Sequence, residues 1–373
     1  MRILLFGNPS TLHSNLAKGL RELGHEVRTV SMRSGWRQFP VDDILLERNY
    51  DINGKLALMQ YLWHALPVLR KCKGYDIVQM HNPMFLAIRG SLLRPFYNYI
   101  RRNNGKLVLG AFGDDYHIVN QMLNSDTLRY SDQKIGSTIR QDAAAREQRE
   151  RWIGNAQHEI GISKYVSEDC DAIVACLQEY WALYNNVYPK KLHFIPLPIV
   201  MPEEPRTDFS VGDKVRLFIG IQKDRTQVKG TDIMLKAAQD IVHDYPTLAE
   251  LRIVENVPYK EYTQIMEGSD AILDQLYSYT PSMNSLLAMS KGIIDIGGGE
   301  PENYDIINEN ELHPIVNVEP TYESVYHELK ELIHHRDRIP EMKAQSVEYV
   351  RRHHDYRKVA AQYLDLYQSV SKY

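Results

Sequence analysis

A pair of cations beside a predicted helix start is the part of this sequence best suited to bind an anion. Arg225 and Lys229 precede Gly230 and Thr231, which open the helix. A guanidinium presents a fork of N–H donors and an ammonium a point charge, while the helix N-terminus adds free N–H groups and a favourable dipole. The segment predicts a diphosphate site, with a solvated charged loop as the alternative. The same segment adds Gly220 and Lys223 to the candidate contacts.

Two further segments of the C-terminal half carry hydrogen-bonding groups after a predicted strand. Glu300 and Glu302 follow three glycines and are suited to accept hydrogen bonds from sugar or ribose hydroxyls, unless they form a flexible acidic loop. An earlier turn opens a helix whose free N–H groups can hold a phosphate or a sugar, unless they are simply capped. The candidate residues of that turn are Pro281, Ser282, Met283 and Asn284.

Polar residues also follow the strands of the N-terminal half. Gly7 and Asn8 follow the first strand, where a ligand can approach the backbone; the alternative is a plain turn. His81 ends another strand and is a candidate for binding a hydroxyl or moving a proton, or else a structural hydrogen bonder. Asp114 and Asp115 follow a third strand, and we expect one of them to orient an acceptor, the alternative being a helix N-cap.

Several classes of protein are disfavoured by what the sequence lacks. Gly7 does not begin a G-x-G-x-x-G loop and no acidic residue ends the second strand, which disfavours nicotinamide and flavin enzymes. The three cysteines match neither a disulfide framework nor a zinc motif, so we expect no metal and a reducing cytoplasm. No signal peptide and no apolar run of about 18 residues is present, so no membrane span is expected.

The charge is unevenly distributed along the chain. Residues 1–200 carry 25 basic and 19 acidic residues, and the remainder carries 19 basic and 29 acidic residues. The cations at 225 and 229 therefore lie in an acidic half, which favours a specific anion site over a generally basic surface. Residues 89–106 alternate arginines with apolar residues, and this pattern fits either a helix on an anionic membrane or a core helix with a basic outer face. Binding of nucleic acid is not predicted.

Strands and helices alternate along the whole chain. This pattern predicts parallel sheets with helices on both faces, whose ligands bind at the carboxyl ends of the strands. A proline-rich linker at 194–213 separates two series, so we predict an N-terminal domain over 1–200, a C-terminal domain over 201–355 and a terminal helix over 356–373. The predicted strands are 2–6, 26–30, 77–80, 107–111, 159–162, 172–175, 215–220, 251–254, 271–273 and 293–296. The longer predicted helices are 91–102, 137–153, 231–245, 259–267, 283–290, 323–336 and 341–373.

With these elements in place, the sequence resembles the GT-B glycosyltransferases, and within them the retaining enzymes of family 4, over nearly its whole length. The resemblance rests on LGHEV at 23–27, YDIVQMHNP at 75–83, HFIP at 193–196, Lys229-Gly230 with Arg225, and NSLLAMSKG at 284–292. It implies two Rossmann-like, doubly wound domains that face each other across a cleft, with a C-terminal helix that crosses back to the N-terminal domain.

The sequence departs from the family pattern at three positions. The family often carries two glutamates eight residues apart, where this chain has Tyr279 and Leu287. The second glutamate typically holds the ribose, so Glu300 or Glu302 is the hypothesised replacement. Phe112, which precedes Gly113, stands where the family frequently has a histidine.

The resemblance implies transfer of a hexosyl unit from a nucleotide-diphosphate sugar to a hydroxyl acceptor with retention, in polysaccharide or glycoconjugate synthesis of bacterial type. Arg225 and Lys229 would stabilise the leaving diphosphate without a metal or cofactor, and His81, Asp114 and Asp115 would orient the sugar and the acceptor. The expected partners are a UDP- or GDP-linked donor and a sugar or lipid-linked sugar acceptor, with the protein in the cytoplasm or peripheral at the inner face of the membrane. A sugar-nucleotide epimerase and a catalytically silent binding protein are the alternatives.

Overall fold

The computed structural model describes residues 1–31, 43–49, 54–154, 156–204 and 206–371, except the side chain of Asp224. Two compact units account for the chain. The first comprises Met1–Thr127, Gln148–Pro198 and Tyr356–Tyr373, and the second comprises Leu128–Glu147 and Ile199–Asp355.

Up to residue 200, strands and helices follow one another in the predicted alternation. The strands are β1 Arg2–Phe6, β2 Glu26–Ser31, β3 Ile44–Leu45, β4 Ile77–Met80, β5 Lys106–Ala111, β6 Lys134–Ile135, β7 Thr138–Ile139, β8 Ala172–Ala175 and β9 Leu192–Phe194. The helices are α1 Leu12–Glu22, α2 Gly54–Lys71, α3 Gly90–Asn103, α4 Tyr116–Asn124, α5 Ala143–Trp152, α6 Gln157–Asp169 and α7 Gln178–Asn185.

The alternation resumes after the proline-rich stretch. The strands are β10 Val215–Ile221, β11 Ala249–Glu255, β12 Ala271–Leu273, β13 Ile294–Gly297 and β14 Val316–Asn317. The helices are α8 Thr226–Lys229, α9 Thr231–Asp244, α10 Tyr259–Met266, α11 Met283–Ser290, α12 Pro301–Ile306, α13 Tyr322–His334, α14 Ile339–His353 and α15 Tyr356–Ser371.

The first unit is built on a parallel sheet. Seven strands of the described residues form it in the order β3-β2-β1-β4-β5-β8-β9. Strands β4 and β8 are buried along their whole length, which explains why they read as continuous apolar runs in the sequence. The return from β3 across the sheet to β4 places β1 and β4 side by side at the reversal of strand order, where ligands of doubly wound sheets bind.

The last helix of the chain belongs to the first unit. Val359 and Tyr363 of α15 are fully buried with Leu16 and Leu20 of α1 against the sheet. The Tyr367 hydroxyl donates a hydrogen bond of 2.7 Å to Gln79 on β4. The return of the C-terminal helix to the N-terminal domain is therefore present, although α14 and α15 are two helices and not the single helix predicted over 341–373.

The second unit contains a smaller parallel sheet. In the part of the chain that the structure describes, five strands form it in the order β11-β10-β12-β13-β14. Its core packs α9 and α13 on one face, through Met234, Ile241, Val325 and Leu329. Because all the strands are parallel, the loops that follow β10, β12 and β13 emerge at the same edge.

The predicted strand at 159–162 and the predicted helix at 137–153 are corrected by the structure. Residues 159–162 lie in α6, whose buried Ile162 and Val166 are four residues apart and give it a helical face. Residues 137–142 precede the helix α5, and Thr138–Ile139 pairs with β6 in a short antiparallel hairpin. This hairpin lies in the stretch Leu128–Glu147, which groups with the second unit although the sequence boundary assigned it to the first.

The sequence left two interpretations of the basic segment 89–106, a helix on a membrane and a core helix with a basic outer face. The structure shows the core helix. Leu93, Tyr97 and Ile100 of α3 are fully buried, and the Tyr97 hydroxyl donates to Asp169 of α6 at 2.8 Å. The apolar side of α3 is therefore unavailable to a membrane. None of the described helices is both long enough and apolar enough to cross a bilayer.

The packing of α1 against α15 predicts opposite effects for two helical glycines. A Cβ on Gly19 would lie 2.6 Å from the Ala360 Cβ and 2.7 Å from the Tyr356 carbonyl oxygen, whereas a Cβ on Gly161 would meet nothing within 4 Å. We expect Gly19→Ala to lower the free energy of unfolding by about 2 kcal/mol. Gly161→Ala should raise it by up to about 1 kcal/mol through helix propensity. Denaturant unfolding of both variants measures this, and equal effects would contradict the close contact of the helices.

Candidate functional site

The segment that follows β10 places its two cations in different environments. The Lys229 ammonium lies 3.0 Å from Asp274 Oδ1, and the carboxylate is buried. Arg225 ends a short 3-10 helix and is half-buried, and its guanidinium forms no hydrogen bond or ion pair with the described side chains. Lys223 instead reaches an exposed Glu255 at 2.9 Å. Arg225 is therefore the cation of this segment that has its charge available to a ligand.

Asp274 is the centre of the hydrogen-bond network beneath Lys229. Its oxygens accept from the Ser282 hydroxyl, from Ser285 Oγ at 3.2 Å and from Asn284 Nδ2 at 3.0 Å. Burial alone would raise the pKa of Asp274, but the Lys229 charge and these hydrogen bonds outweigh it, so the pKa lies below its usual value. The aspartate is therefore ionised and neutralises part of the charge of Lys229.

The start of α11 is capped, which is the alternative that the sequence left open. Ser282 accepts from the amides of Asn284 at 3.2 Å and Ser285 at 3.5 Å. Pro281 is buried and Met283 opens the helix beside this cap. The serine hydroxyl donates to Asp274 at the same time, so the turn serves the network of the aspartate.

The two glycines of the β10 segment make room for protein side chains. A Cβ on Gly220 would lie 2.5 Å from the Tyr262 ring, whose hydroxyl accepts from Asn284 at 3.0 Å. Gly230 has a φ of +70° and ends α8, and a Cβ there would also meet Leu276 at 2.7 Å. Both positions therefore require glycine for packing, whether or not a ligand approaches them.

Two buried polar groups near this network lack a hydrogen-bond partner among the described residues. They are the Thr231 hydroxyl at the start of α9 and both carboxyl oxygens of Asp295 on β13. Burial and then the charge of Asp274 raise the pKa of Asp295 well above its usual value, which favours its protonated form. The single hydroxyl proton of Ser285 is directed to Asp274 and is not available to Asp295. The unpartnered Thr231 hydroxyl lies at the helix start beside Lys229.

Glu300 and Glu302 are held by a side chain from the stretch Leu128–Glu147. Arg129 Nη2 lies 2.6 Å from the buried Glu300, and Nη1 of the same guanidinium donates to Glu302. The Tyr130 hydroxyl donates to Glu300 at 2.6 Å. Burial raises the pKa of Glu302, but the hydrogen bonds from Arg129 outweigh this, and the pKa lies below its usual value. In this structure the two carboxylates bind these protein donors, and their role toward a ribose stays a prediction.

The two positions where the family carries glutamates have apolar or aromatic roles here. Tyr279 is buried, its ring lies 4.8 Å from the Tyr130 ring, and its hydroxyl accepts from the Arg129 amide at 2.6 Å. Leu287 packs on the cluster of Phe218 and Ile272. The adjacent glycine run allows a close approach of loops, because a Cβ on Gly298 would lie 2.2 Å from the Ser278 carbonyl oxygen.

In the first unit, Gly7 and His81 are in direct contact. Gly7 has a φ of +84°, and a Cβ there would fall 1.9 Å from the ring nitrogen Nδ1 of His81, which donates to the Phe6 carbonyl at 3.2 Å. His13 Nδ1 donates to the Gly7 carbonyl and its Nε2 accepts from Gln79 at 3.0 Å. Burial lowers the pKa of His13 to about 3 and that of His81 to about 4, so both imidazoles are neutral.

The remaining candidates of this unit form local hydrogen bonds. Asn8 donates to the Ser14 hydroxyl at 2.6 Å and joins the first loop to α1. Asp114 Oδ2 accepts from Gln148 at 2.5 Å. Asp115 is fully buried, caps α4 through the Ile118 amide at 2.9 Å and accepts from the Tyr184 hydroxyl. Of the two aspartates, Asp115 is the helix cap, and Asp114 is the more accessible one.

The structure gathers the sequence candidates into three groups and adds residues that the sequence did not single out. Lys229, Ser282 and Asn284 meet at Asp274, Glu300 and Glu302 meet at Arg129, and Gly7 meets His81. Asp274 directly follows a predicted strand, so the rule applied to the other strand ends would have found it. Arg129 has no such signal, because 171 residues separate it from Glu300. In the described ranges, no group of three or more His, Cys, Asp or Glu side chains is placed to hold a metal ion.

Comparisons with known proteins find structural relatives only. No protein family and no curated protein matches the sequence. The fold is similar to that of a sucrose-phosphate synthase from Thermosynechococcus elongatus, with 11% identity, a TM-score of 0.62 and coverage of 99% of both chains. It is also similar to HepE of Anabaena in complex with UDP and glucose, with 12% identity and a TM-score of 0.63. The match covers 99% of this chain and 100% of HepE. A third similar structure is that of WaaG, a glycosyltransferase involved in lipopolysaccharide biosynthesis. It is 11% identical to this chain with a TM-score of 0.60, and the match covers 98% of this chain and 99% of WaaG. The chain has the GT-B fold that the sequence predicted.

The burial of Asp115 predicts a structural and not a chemical role. Asp115→Ala removes the cap and leaves the Tyr184 hydroxyl unpaired, so it should cost about 2–3 kcal/mol of unfolding free energy. Asp115→Asn retains the cap. Burial raises the pKa of Asp115 in the folded protein to about 6, above its value in the unfolded chain. The folded protein therefore holds a proton that the unfolded chain has released, and the free energy of unfolding of the wild type should decline as pH rises from about 4 through 6. Unfolding of the Asn variant over this range should lack that decline.

The Lys229–Asp274 contact predicts a strong coupling between the two residues. Lys229→Met leaves a buried carboxylate without its cation and should lower the free energy of unfolding by about 3 kcal/mol. The double variant Lys229→Met with Asp274→Asn should recover most of that loss, because no buried charge remains. Denaturant unfolding of the two single variants and the double variant measures the coupling, and strictly additive effects would show that the ion pair is not formed in solution.

Proposed function

We propose that this protein is a glycosyltransferase that moves a hexosyl unit from a nucleotide-diphosphate sugar to a hydroxyl acceptor. The observation that carries the proposal is the cation site after β10 of a GT-B fold. Three groups adjoin the start of α9. They are the half-buried Arg225, whose guanidinium has no described partner, the ammonium of Lys229, and the buried Thr231 hydroxyl, which also has no described partner. A helix start with two cations and an unused buried hydroxyl suits a diphosphate.

The proposed reaction places its charge development at this site. The bond between the anomeric carbon and the terminal phosphate oxygen breaks, the acceptor oxygen bonds to the same face of that carbon, and the acceptor proton passes to the departing phosphate. The negative charge that grows on the diphosphate is stabilised by the guanidinium of Arg225 and by the ammonium of Lys229. These cations replace a metal ion in the proposal. Retention of configuration follows from the proton transfer to the phosphate on the attacking side.

Lys229 has a second role in the proposal. Asp274 fixes the position of the ammonium at 3.0 Å and shares its charge, so Arg225 supplies the larger part of the attraction for the donor. A positioned cation costs little reorganisation when the donor binds. Gly230 and Thr231 bring the backbone N–H groups of α9 to the same phosphate.

The nucleoside is the part of the donor for which the structure offers fewest contacts. Leu287 cannot hold a ribose, and Glu300 and Glu302 bind Arg129. We propose that the ribose hydroxyls compete with Arg129 for Glu300, so that donor binding and the position of Leu128–Glu147 are linked. The UDP and ADP named with two of the similar structures make uridine and adenosine diphosphates, together with GDP, the nucleotides to compare.

The proposed acceptor is a sugar or a lipid-linked sugar, in polysaccharide or glycoconjugate synthesis. His81 and Asp114 are the residues of the first unit proposed to orient it, and the absence of a side chain at Gly7 makes room for the His81 ring. The three cysteines are free, which fits a reducing compartment, and the proposal places the protein in the cytoplasm.

A catalytically silent sugar-nucleotide-binding protein is the second candidate. It is favoured by the replacement of both family glutamates and by the occupation of Glu300 and Glu302 by one arginine. Such a protein would bind the nucleotide through the same cations and transfer nothing.

Arg225 gives the cleanest test of the donor site, because removing it disturbs no described contact. We expect Arg225→Ala to weaken binding of the preferred nucleoside diphosphate by at least tenfold in calorimetry, while the unfolding midpoint stays unchanged. Lys236→Ala is the matched control, since Lys236 is an exposed cation that pairs with Asp240 on the same helix α9. Equal affinity of wild type and Arg225→Ala would refute the site.

The activity is tested separately with the nucleotide sugar that binds best. The proposed reaction is supported if the protein releases the nucleoside diphosphate by transfer or by slow hydrolysis. The reaction should persist in EDTA, and NMR should show the retained anomer in the product. Binding without turnover of any donor and acceptor supports the silent protein, and interconversion of the free donor would indicate an epimerase.

A further inference from the structure

The helix α2 is apolar on two opposite sides. Its buried residues Ala57, Tyr61, Ala65 and Leu69 are spaced by four and face the first unit. The Tyr61 hydroxyl accepts from the Ala87 amide at 3.2 Å, which fixes the inner side of the helix. This inner side attaches α2 to its unit, and the opposite side of the helix is exposed.

The outer side of α2 carries a continuous apolar stripe. Leu56, Met59, Trp63 and Leu66 are exposed by 58%, 68%, 76% and 48%. Their spacing of three and four residues aligns them along one line of the helix. Four of the nine large hydrophobic side chains that are exposed in the described part of the chain lie on this helix, so they form a patch and are not scattered singly.

The charges within and directly after this helix have one sign. Residues 54–73 contain four basic residues and no acidic residue. Arg70 lies one helical turn beyond Leu66 and continues the stripe, with Lys71 and Lys73 beside it, while Lys55 stands at the other end of the helix. A surface that only pairs with another protein has no need of a single charge sign, whereas the headgroups of an anionic bilayer select for it.

The neighbouring helix α3 adds to the same charge. α2 leads from β3 to β4 and α3 from β4 to β5, and right-handed crossovers in one direction place both helices on the same face of the sheet. The outer side of α3 presents Arg94 and Arg102, while its apolar side is buried. Of the two helices, α2 therefore has the larger apolar surface to insert, because Leu92 is the one large hydrophobic side chain that is exposed on α3. α3 contributes mainly charge.

We infer that α2 binds the surface of an anionic lipid bilayer. The helix lies in the plane of the interface, with Leu56, Met59, Trp63 and Leu66 among the upper acyl chains and the flanking Arg70 and Lys71 on the lipid headgroups. An indole at this depth suits a tryptophan, whose apolar ring and N–H group favour the boundary between hydrocarbon and water. The helix lies on the bilayer and does not cross it. This inference does not rest on the proposed glycosyl transfer.

Sedimentation with lipid vesicles tests the inference on the full-length protein without any donor. Wild type should bind vesicles of phosphatidylglycerol and phosphatidylcholine, bind pure phosphatidylcholine at least tenfold more weakly, and lose affinity as salt rises. Met59→Ser with Trp63→Ser should reduce binding to the anionic vesicles by at least tenfold. Arg70→Gln with Lys71→Gln should reduce it by at least fivefold on anionic vesicles only.

The matched control is Leu23→Ser, an exposed apolar residue of the same unit at 45% exposure, which should bind as wild type does. Trp63→Phe should retain binding and lose the blue shift of tryptophan emission that wild type shows with vesicles. Thermal unfolding must be equal in all variants, which their exposure predicts. Absence of vesicle binding by wild type at low salt overturns the inference. So does a concentration-dependent dimer that Trp63→Ser abolishes while vesicle binding is unaffected, because the stripe would then pair two copies of the chain.

Discussion

The contact of Lys229 with the buried Asp274 is the interaction on which the candidate donor site depends. A buried carboxylate is stable only with a cation and several hydrogen-bond donors, and Asp274 obtains them from Lys229, Ser282, Asn284 and Ser285. The loop after β10, the loop after β12 and the start of α11 are therefore held together by one anion. The ammonium is positioned but partly neutralised, which is why the proposal makes Arg225 the principal attraction for a diphosphate.

A second constraint comes from the stretch Leu128–Glu147. It leaves the first half of the chain, forms a hairpin and groups with the second unit, where Arg129 binds both Glu300 and Glu302. Arg140 of the same stretch lies 3.8 Å above the Tyr277 ring and donates to the Gln227 carbonyl at 2.7 Å. This segment thus touches the loops after β10, β12 and β13, which are the loops proposed to bind the donor.

The first unit combines a polar loop region with an exposed apolar stripe on α2. Gly7, His13 and His81 form a compact neutral group at the ends of β1 and β4. Helix α2 attaches to the unit by one side and exposes an apolar, cation-flanked stripe on the other. A protein with this arrangement would take a water-soluble donor in the second unit while the first unit is held at a lipid surface, which suits the lipid-linked acceptor of the proposal.

Local patterns in the sequence were enough to predict the strands 77–80, 172–175 and 271–273, the helix start at Thr231 and the presence of two sheets. These features could be predicted because an apolar run or a turn residue determines the structure of residues only a few positions away. Tertiary contacts decided other segments. Residues 159–162, predicted as a strand, are helical because Ile162 and Val166 pack on one side, and Asp115, for which the sequence left two interpretations, is a cap that accepts from Tyr184. The partners of Lys229, Glu300 and Glu302 lie 45 to 173 residues away in the chain. No local rule reaches that far, since only the folded sheets bring such carboxylates and cations within hydrogen-bond distance.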